Sequence, residues 1–444
     1  MKACNLKGRK DFCWAVVSRS SCIVVIAAAG LLFIPGQDVK AAESQAQVTP
    51  ERGTGVIQRQ QQRKSSEDYK PIGARVGSFI FLPSINVEAE YNDNVFATQD
   101  GAQSDTLTRI LPEIALNSDW NRHKLDLAFK PEIVRYYRLS DDNVENYDFT
   151  ADGRVDVLRA LKINMSAGYK IDHEDRGNPN AVTSAKSPTK TKTTDAHIEL
   201  NYKPNWVSLD IGGDFTRNDF NDVTNKDGTI TNNGDRNRDK KEITVRLGRE
   251  YLPNTEMFVK TSYNAIDYKD AVTDSGENRD SDGYSVVVGT QLDFTKIVTG
   301  NVFGGYISQS YADANLEKIA GPTAGASINW DATPLMSING TVSRTIQETT
   351  TTGSPGFMSS FVSLTVDYEI LRPLTATANI KGTVQNYEGV GRTDKVLDAS
   401  LGGEYLFNRN FSLNLNYAFK RKLSSSAGSS STQNTVLLAG RVQF

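Results

Sequence analysis

The chain has 444 residues, 38% of them hydrophobic, and a formal net charge of −3. That length holds two or three ordinary domains or one large barrel, and so polar a composition excludes a bundle of membrane helices. All three cysteines, Cys4, Cys13 and Cys22, fall near the start; the remainder has no disulfide framework, thiolate metal site or cysteine nucleophile.

The first element is the apolar run Cys22 to Ile34, preceded by Lys2, Lys7, Arg9, Lys10 and Arg19 and followed by Val39-Lys40-Ala41. Its 13 residues are too few to span a bilayer as a helix. With basic residues before it and small ones behind, residues 1–41 read as a secretory signal peptide cleaved after Ala41. Arg19-Ser20-Ser21 ahead of Cys22 is not a lipobox, so no lipid anchor is expected. Removal of 1–41 leaves 44 basic against 51 acidic residues, a net charge of −7, which argues against a nucleic-acid partner. Residues 42–78 are polar and irregular, including Arg59-Gln60-Gln61-Gln62-Arg63-Lys64. They read as a flexible periplasmic lead-in, with a docking segment for a periplasmic partner as the alternative. They are too few for the plug domain of an energy-coupled transporter.

From Phe79 to Phe444 one pattern repeats. Segments of about 10–14 residues alternate apolar and polar, the length of a tilted strand crossing a bilayer. Leu161-Lys162-Ile163-Asn164-Met165-Ser166-Ala167-Gly168-Tyr169-Lys170-Ile171 is one; Ala196 to Tyr202 and Phe411 to Phe419 are others. No helical spacing fits them. Short turns such as Trp120-Asn121-Arg122, Pro204-Asn205, Pro253-Asn254, Thr333-Pro334, Arg372-Pro373 and Asn408-Arg409-Asn410 alternate with longer polar connections at 92–104, 139–145, 174–193, 218–238, 269–280, 312–317, 348–357, 388–394 and 421–431. Short periplasmic turns against long extracellular loops are the rhythm of a bacterial barrel. The fold expected over 79–444 is all-β: a single transmembrane antiparallel up-and-down β-barrel of about 18 strands, with 16 or 20 open. An even count places both ends on the periplasmic side. Aromatics at strand ends, among them Tyr91, Trp120, Tyr169, Tyr202, Tyr284, Tyr306, Trp330, Tyr368 and Tyr405, fit two interfacial girdles.

If the apolar positions face lipid, their neighbours face a lumen. This register assigns Glu113, Asp126, Lys130, Asp148, Asp152, Arg154, Asp156, Lys170, Glu199, Asp210, Asp214, Arg246, Asp367, Asp398, Glu404 and Arg441 to the channel lining. Charge is dense up to Glu250. Later strands offer Ser337, Asn339, Thr341, Ser343, Ser363, Thr365, Ser412, Asn414 and Asn416 instead. Either these are simply the polar walls of a hydrated interior, or they form a cation-preferring or neutral-sugar pathway, since carboxylates repel anions and amides bond sugar hydroxyls.

Chemistry is sparse. Only His123, His173 and His197 could serve as acid–base groups, and parity sends His173 outward and His197 inward. No catalytic site, cofactor or metal site is expected. Asn225-Lys226-Asp227-Gly228 resembles a calcium loop, but Val223 takes the first-ligand position and no Glu closes it. Asp270, Asp274, Glu277, Asp280 and Asp282 make one loop acidic, which reads as a solvated loop.

The chain ends in Val436-Leu437-Leu438-Ala439-Gly440-Arg441-Val442-Gln443-Phe444. Alternation closing on an aromatic reads as the last strand of an outer-membrane barrel, with Phe444 as the insertion signal. Its expected partners are the outer-membrane bilayer with its lipopolysaccharide and the barrel-assembly machinery of a Gram-negative cell.

Tyr69-Lys70-Pro71-Ile72-Gly73-Ala74-Arg75-Val76-Gly77-Ser78-Phe79, Leu82-Pro83-Ser84 and Tyr91-Asn92-Asp93-Asn94-Val95-Phe96 resemble the start of the putative beta-barrel porin 2 family. So do Leu111-Pro112-Glu113-Ile114, Trp120-Asn121-Arg122-His123 and Arg154-Val155-Asp156-Val157. The similarity covers about residues 69–180; beyond it the pattern is that of barrels in general. The resemblance implies an outer-membrane barrel, often linked in this family to exopolysaccharide or capsule production, as an export pore beside a periplasmic export protein. A general diffusion porin and a surface or adhesin barrel, closed by an inward-folded loop such as 174–193 or 218–238, are the alternatives.

Overall fold

The computed structural model describes residues 69–444 except 271, 275 and 296. The expected signal peptide and most of the lead-in lie outside the described residues.

Eighteen strands follow in chain order: β1 Phe79–Asn92, β2 Asp105–Ser118, β3 Lys124–Tyr136, β4 Val144–Leu158, β5 Leu161–His173, β6 Lys190–Tyr202, β7 Val207–Phe220, β8 Arg238–Leu252, β9 Thr255–Tyr268, β10 Ser281–Thr295, β11 Val298–Tyr311, β12 Ile319–Thr333, β13 Met336–Glu348, β14 Gly356–Leu371, β15 Leu374–Tyr387, β16 Thr393–Leu406, β17 Phe411–Ser424 and β18 Ser431–Gln443. Each pairs antiparallel with its neighbour. β18 returns to β1 in a register running from Ser84 opposite Gln443 to Asn92 opposite Thr435, so the sheet closes. Closure removes both edges, the condition for crossing lipid as strands.

The alternation dictates which face meets lipid. Ile85, Val87, Tyr91, Val286, Val288, Val302, Leu413, Leu415, Val436 and Leu438 stand exposed on the outside. So many exposed aliphatic side chains in water would each forgo about 1.5–3 kcal/mol of burial; in a bilayer they gain it. Tyr169, Tyr202, Tyr284, Tyr306, Trp330, Tyr368 and Tyr405 face out as well. Strands of 13 to 16 residues rise roughly 30 Å or more at a 45° tilt, enough to cross the hydrocarbon and project beyond it.

The turns fall at the expected positions. Before several of them, at Asp156/Leu158, Glu250/Leu252, Asp293/Thr295, Asp331/Thr333 and Glu369/Leu371, the pairing slips by one residue just after an inward acid. A bulge there bends the strand into its turn. Several boundaries shift: β17 continues to Ser424, inside the connection read as 421–431, because Arg421–Ser424 pair with Asp394–Leu397 of β16. β6 begins at Lys190, inside the connection read as 174–193, because Lys190–Thr193 pair with β5. Residues 74–78, read as irregular lead-in, contain a short strand, Ala74–Val76, paired with Phe79–Phe81. Gly77, at φ +61°, makes the tight reversal, a backbone region that disfavours a Cβ. This strand occupies the edge of β1 next to Phe444, whose N–H donates to the Pro83 carbonyl at 3.2 Å. It thereby protects the only part of β1 that β18 leaves unpaired. Arg75 pairs with Asp119 in the β2–β3 turn, and Trp120 Nε1 donates to Ser78 Oγ at 3.1 Å.

Candidate functional site: the barrel interior

Cross-strand pairing carries the inward parity around the ring. Glu88 stands opposite Arg109, Asn117 opposite Asp126, Lys124 opposite Arg154 and Asp148 opposite Lys170. The same parity puts Glu199, Asp210, Asp214 and Arg246 inside on β6–β8, and Asp367, Asp398, Glu404 and Arg441 on β14, β16 and β18.

These charges come together as ladders rather than as one cluster. Glu113 accepts from Lys130 at 3.2 Å and Arg441 at 3.5 Å, which ties β2 to β3 and to the closing strand. Lys124 with Asp126, Arg154 with Asp156 (3.3 Å) and Lys170 with Asp172 are i, i+2 pairs along single strands. Arg246, buried against the Phe258 ring at 4.5 Å, bonds Asp210 at 3.1 Å and Glu256 at 2.7 Å. Asp398 lies opposite both Lys381 and Lys420. Asp367 accepts from Thr377 Oγ1 at 2.6 Å. Asp126 and Asp152 face each other directly, like against like.

On β11–β15 hydroxyls and amides outnumber the charges in the interior. Asn301 Oδ1 accepts from Ser327 Oγ at 3.1 Å, and Asn379 Nδ2 donates to Thr365 Oγ1 at 2.7 Å. Thr341 is exposed although it points inward, as open space beside this wall requires.

The histidine expectation needs one correction. His173 closes β5, and there its side chain turns inward, with Nδ1 2.7 Å from Asn146 Oδ1. Parity fails because the strand is ending and its last residue follows the loop. His197 faces inward as expected, with Nδ1 2.7 Å from Asp214 and Nε2 3.7 Å from Glu199. Ser166 stands opposite His197 in the same lateral row, so serine, histidine and aspartate share one line. They do not form a nucleophilic triad. Ser166 Oγ is buried without a hydrogen bond, and the second histidine nitrogen faces Glu199 instead of the hydroxyl.

The outer mouth is covered by loops that periodicity could not place. L3 (174–189) joins L4 (221–237) through the Ala185–Asn225 bridge and a Lys226 N–H to Ser184 carbonyl bond of 3.0 Å. Thus Asn225-Lys226-Asp227-Gly228 is a hairpin turn stitched to L3, with Thr229 bonded to Asp227. Three arginines, Arg236 and Arg279 buried and Arg176 partly so, fasten these loops. Arg176 bonds Asp142 of the β3–β4 connection at 2.7 Å and the Ala185 carbonyl at 2.9 Å. Arg236 bonds Glu174 at 2.5 Å. Arg279 of L5 (269–280) holds Glu277 at 2.6 Å and donates to the Thr349 and Thr351 carbonyls of L7 (349–355). Glu277 in turn accepts the Gly353 N–H at 2.8 Å, and Asp280 accepts that of Tyr268. The acidic loop is therefore partly consumed by loop structure.

L3 then meets L7. Asn180 Oδ1 accepts from the Thr350 N–H at 3.2 Å, Thr350 Oγ1 at 3.0 Å and Thr349 Oγ1 at 3.3 Å. Their parent hairpins, β5–β6 and β13–β14, stand eight strands apart on an 18-strand ring, almost diametrically opposed. L3 and L7 consequently span the mouth between them. Beneath L3 lies a cavity of about 470 Å³, lined by Glu90, Arg109, Glu132, His173, Asp398 and Lys420 among others. There Arg109 pairs with Glu90 and sits 3.4 Å from Glu132.

Residues 67–444 match the family described as Putative beta-barrel porin 2. The chain belongs to that family. It is a porin-like β-barrel of the outer-membrane type. No curated protein matches the chain. Among solved structures, this porin 2 barrel is similar to the siderophore receptor PiuA from Acinetobacter baumannii, at 10% identity over 84% of this chain and 82% of that one (TM-score 0.46). It is also similar to Pseudomonas aeruginosa OccK2 (OpdF) in complex with glucuronate, at 10% identity over 82% and 98% (TM-score 0.44). A third is Pseudomonas aeruginosa OpdK with vanillate, at 10% over 82% and 99% (TM-score 0.42).

Proposed function

We propose that this barrel is a gated outer-membrane channel for hydrophilic solutes and that its physiological cargo is exopolysaccharide on its way out of a Gram-negative cell. The observation that carries the reading is the interior face. It is polar around most of the ring, charged on β1–β9 and rich in hydroxyls and amides on β11–β15, with Thr341 open to the lumen. A barrel that served only as a scaffold has no need of a hydrated interior. Inward acids beside the periplasmic turns, Glu250, Asp293, Asp331, Glu369 and Glu404, favour cations and neutral solutes over anions. The export reading further holds that residues 1–41 direct secretion, that the C-terminal strand engages the assembly machinery and that a periplasmic polysaccharide-export protein delivers the cargo. Deletion of the gene should reduce released polysaccharide; an unchanged yield counts against export while leaving the channel intact.

The L3–L7 contact favours a second reading, a closed structural or adhesin barrel. Conductance separates the two. A channel conducts once L3 is released from L7, whereas a structural barrel stays silent.

A further inference from the structure

One interior row departs from the polar rule. Following the pairing across the sheet, Phe258 stands opposite Gly289, Gly289 opposite Phe303, Phe303 opposite Gly325, Gly325 opposite Ser343 and Ser343 opposite Phe361. Three phenyl rings thus occupy one line on the inner face of β9–β14. Because the strands tilt, the line climbs. Phe258, Phe303 and Phe361 lie three, five and ten residues from the periplasmic ends of their strands, a rise of roughly 18 Å at a 40° tilt.

The glycines allow the rings to lie against the wall. A Cβ on Gly289 would come within 2.5 Å of the Phe258 ring and 2.7 Å of Phe303, and one on Gly325 would collide with the Phe303 ring. Packing over glycine is a known way to steady a sheet and could account for Phe258, whose face is already covered by Arg246 at 4.5 Å. It does not account for Phe361, which stands between Ser343 and Thr383 with no glycine to cover and carries the Lys381 ammonium over one face, 5.2 Å from the ring centre. Phe303 and Phe361 both keep partial exposure inside the barrel. The row immediately below is of another chemistry: Asn301 opposite Ser327, Ser327 opposite Thr341 and Thr341 opposite Ser363, all neutral hydrogen-bonding side chains.

Resting on the channel reading above, we infer that Phe303 and Phe361, with the Asn301–Ser327–Thr341–Ser363 ladder beneath them, form a rising binding track for uncharged saccharide chains. A pyranose ring is amphipathic. Its axial C–H face carries slight positive charge and stacks on the negative face of an aromatic ring, while its equatorial hydroxyls seek amides and hydroxyls at its edge. Ring faces with a parallel ladder of neutral donors and acceptors match both. The ladder itself is uncharged, and Lys381, opposite Ser363 and 5.2 Å from the Phe361 ring centre, flanks it. A small inorganic ion would gain nothing from the rings. Phe303 and Phe361 are three strands apart, about 14 Å, a span that a short oligosaccharide bridges.

The test is calorimetric titration of the purified barrel in detergent with maltohexaose, and with hexagalacturonate and a polyethylene glycol of similar length as controls. Binding to the interior does not require an open outer mouth, because the track begins beside the periplasmic opening. The expected result is millimolar or tighter affinity for maltohexaose alone, weakened about 10-fold by Phe303→Ala or Phe361→Ala, unchanged by Phe258→Ala, and kept or tightened by Phe361→Trp. Heat-modifiable gel migration reports folding of each variant. No binding, or binding indifferent to Phe303 and Phe361, overturns the track. Parallel conductance keeps the two ideas apart: a conducting barrel that ignores maltohexaose refutes the track alone, and a barrel that stays silent even after Asn180→Ala releases L3 from L7, but whose binding follows the two phenylalanines, refutes the channel alone.

Discussion

Replacing Asn180 by alanine should open the outer mouth. One side-chain oxygen receives three donors there, the Thr350 N–H and hydroxyl and the Thr349 hydroxyl, at 3.0 to 3.3 Å. A carbonyl oxygen has two lone pairs, and Thr350 is exposed, so water recovers part of the loss. Thr349 is buried but keeps Thr351 Oγ1 as a partner at 3.1 Å. At about 0.5–1.5 kcal/mol for each bond after exchange with water, the junction contributes about 1–2 kcal/mol. That shifts the closed-to-open ratio about 5- to 30-fold. The base of L3 should be unaffected, since Arg176 and Arg236 anchor it independently. Single-channel recording in planar bilayers reads the change as a rise in open probability with unit conductance unaltered. Linking Asn180→Cys to Thr350→Cys with a short bis-thiol reagent should lower it, a clean experiment because every native cysteine lies at or before Cys22. Equal open probability in wild type, Asn180→Ala and the cross-linked protein would refute the latch.

Other consequences follow. Arg279→Ala removes a buried guanidinium that holds two L7 carbonyls and Glu277; L7 should lose about 3 kcal/mol of local stability, read as faster amide exchange over 349–355 with the strands unchanged. Leu438→Arg puts charge on the lipid face of the closing strand, where Leu438 is exposed, and should cost about 2–4 kcal/mol in urea unfolding from vesicles; an equal penalty for Leu437→Arg would contradict the assignment of faces. In L4, burial and then the nearby Asp274 and Asp270 push the Asp235 carboxyl up. A raised folded pKa means that the folded loop holds the proton more tightly, so L4 is steadiest at acid pH and loosens as pH climbs through the raised value. Asp235→Asn should flatten that dependence, measured as amide exchange over 221–237 normalised to intrinsic rates; a persisting slope would assign it to another group.

The barrel itself was legible because a bilayer imposes one pattern on every strand. A polar residue at Ser166 beside apolar Met165 and Ala167 betrays both strand and face, and the pairing of Ile85 with Val442 follows from the same alternation. Where that constraint ends, so does legibility. His173 sits one residue from a loop and turns the other way. Arg176, Asn180, Arg236 and Arg279 organise the mouth through contacts between loops far apart in sequence, and no local periodicity encodes such contacts. Phe303 and Phe361 are an intermediate case. Their parity places them inside, and an aromatic at a position that should be polar was the available signal.

The claim on which the rest depends is that the polar face surrounds water. Thr341 and Val342 are neighbours on β13, one inward and exposed, the other outward and 46% exposed to what should be lipid. Each can be changed to cysteine in a background with no other thiol beyond Cys22 and treated, in vesicles, with a charged, membrane-impermeant thiol reagent. Thr341→Cys should react rapidly and Val342→Cys should not. Reaction at Val342→Cys with protection at Thr341→Cys would contradict the account.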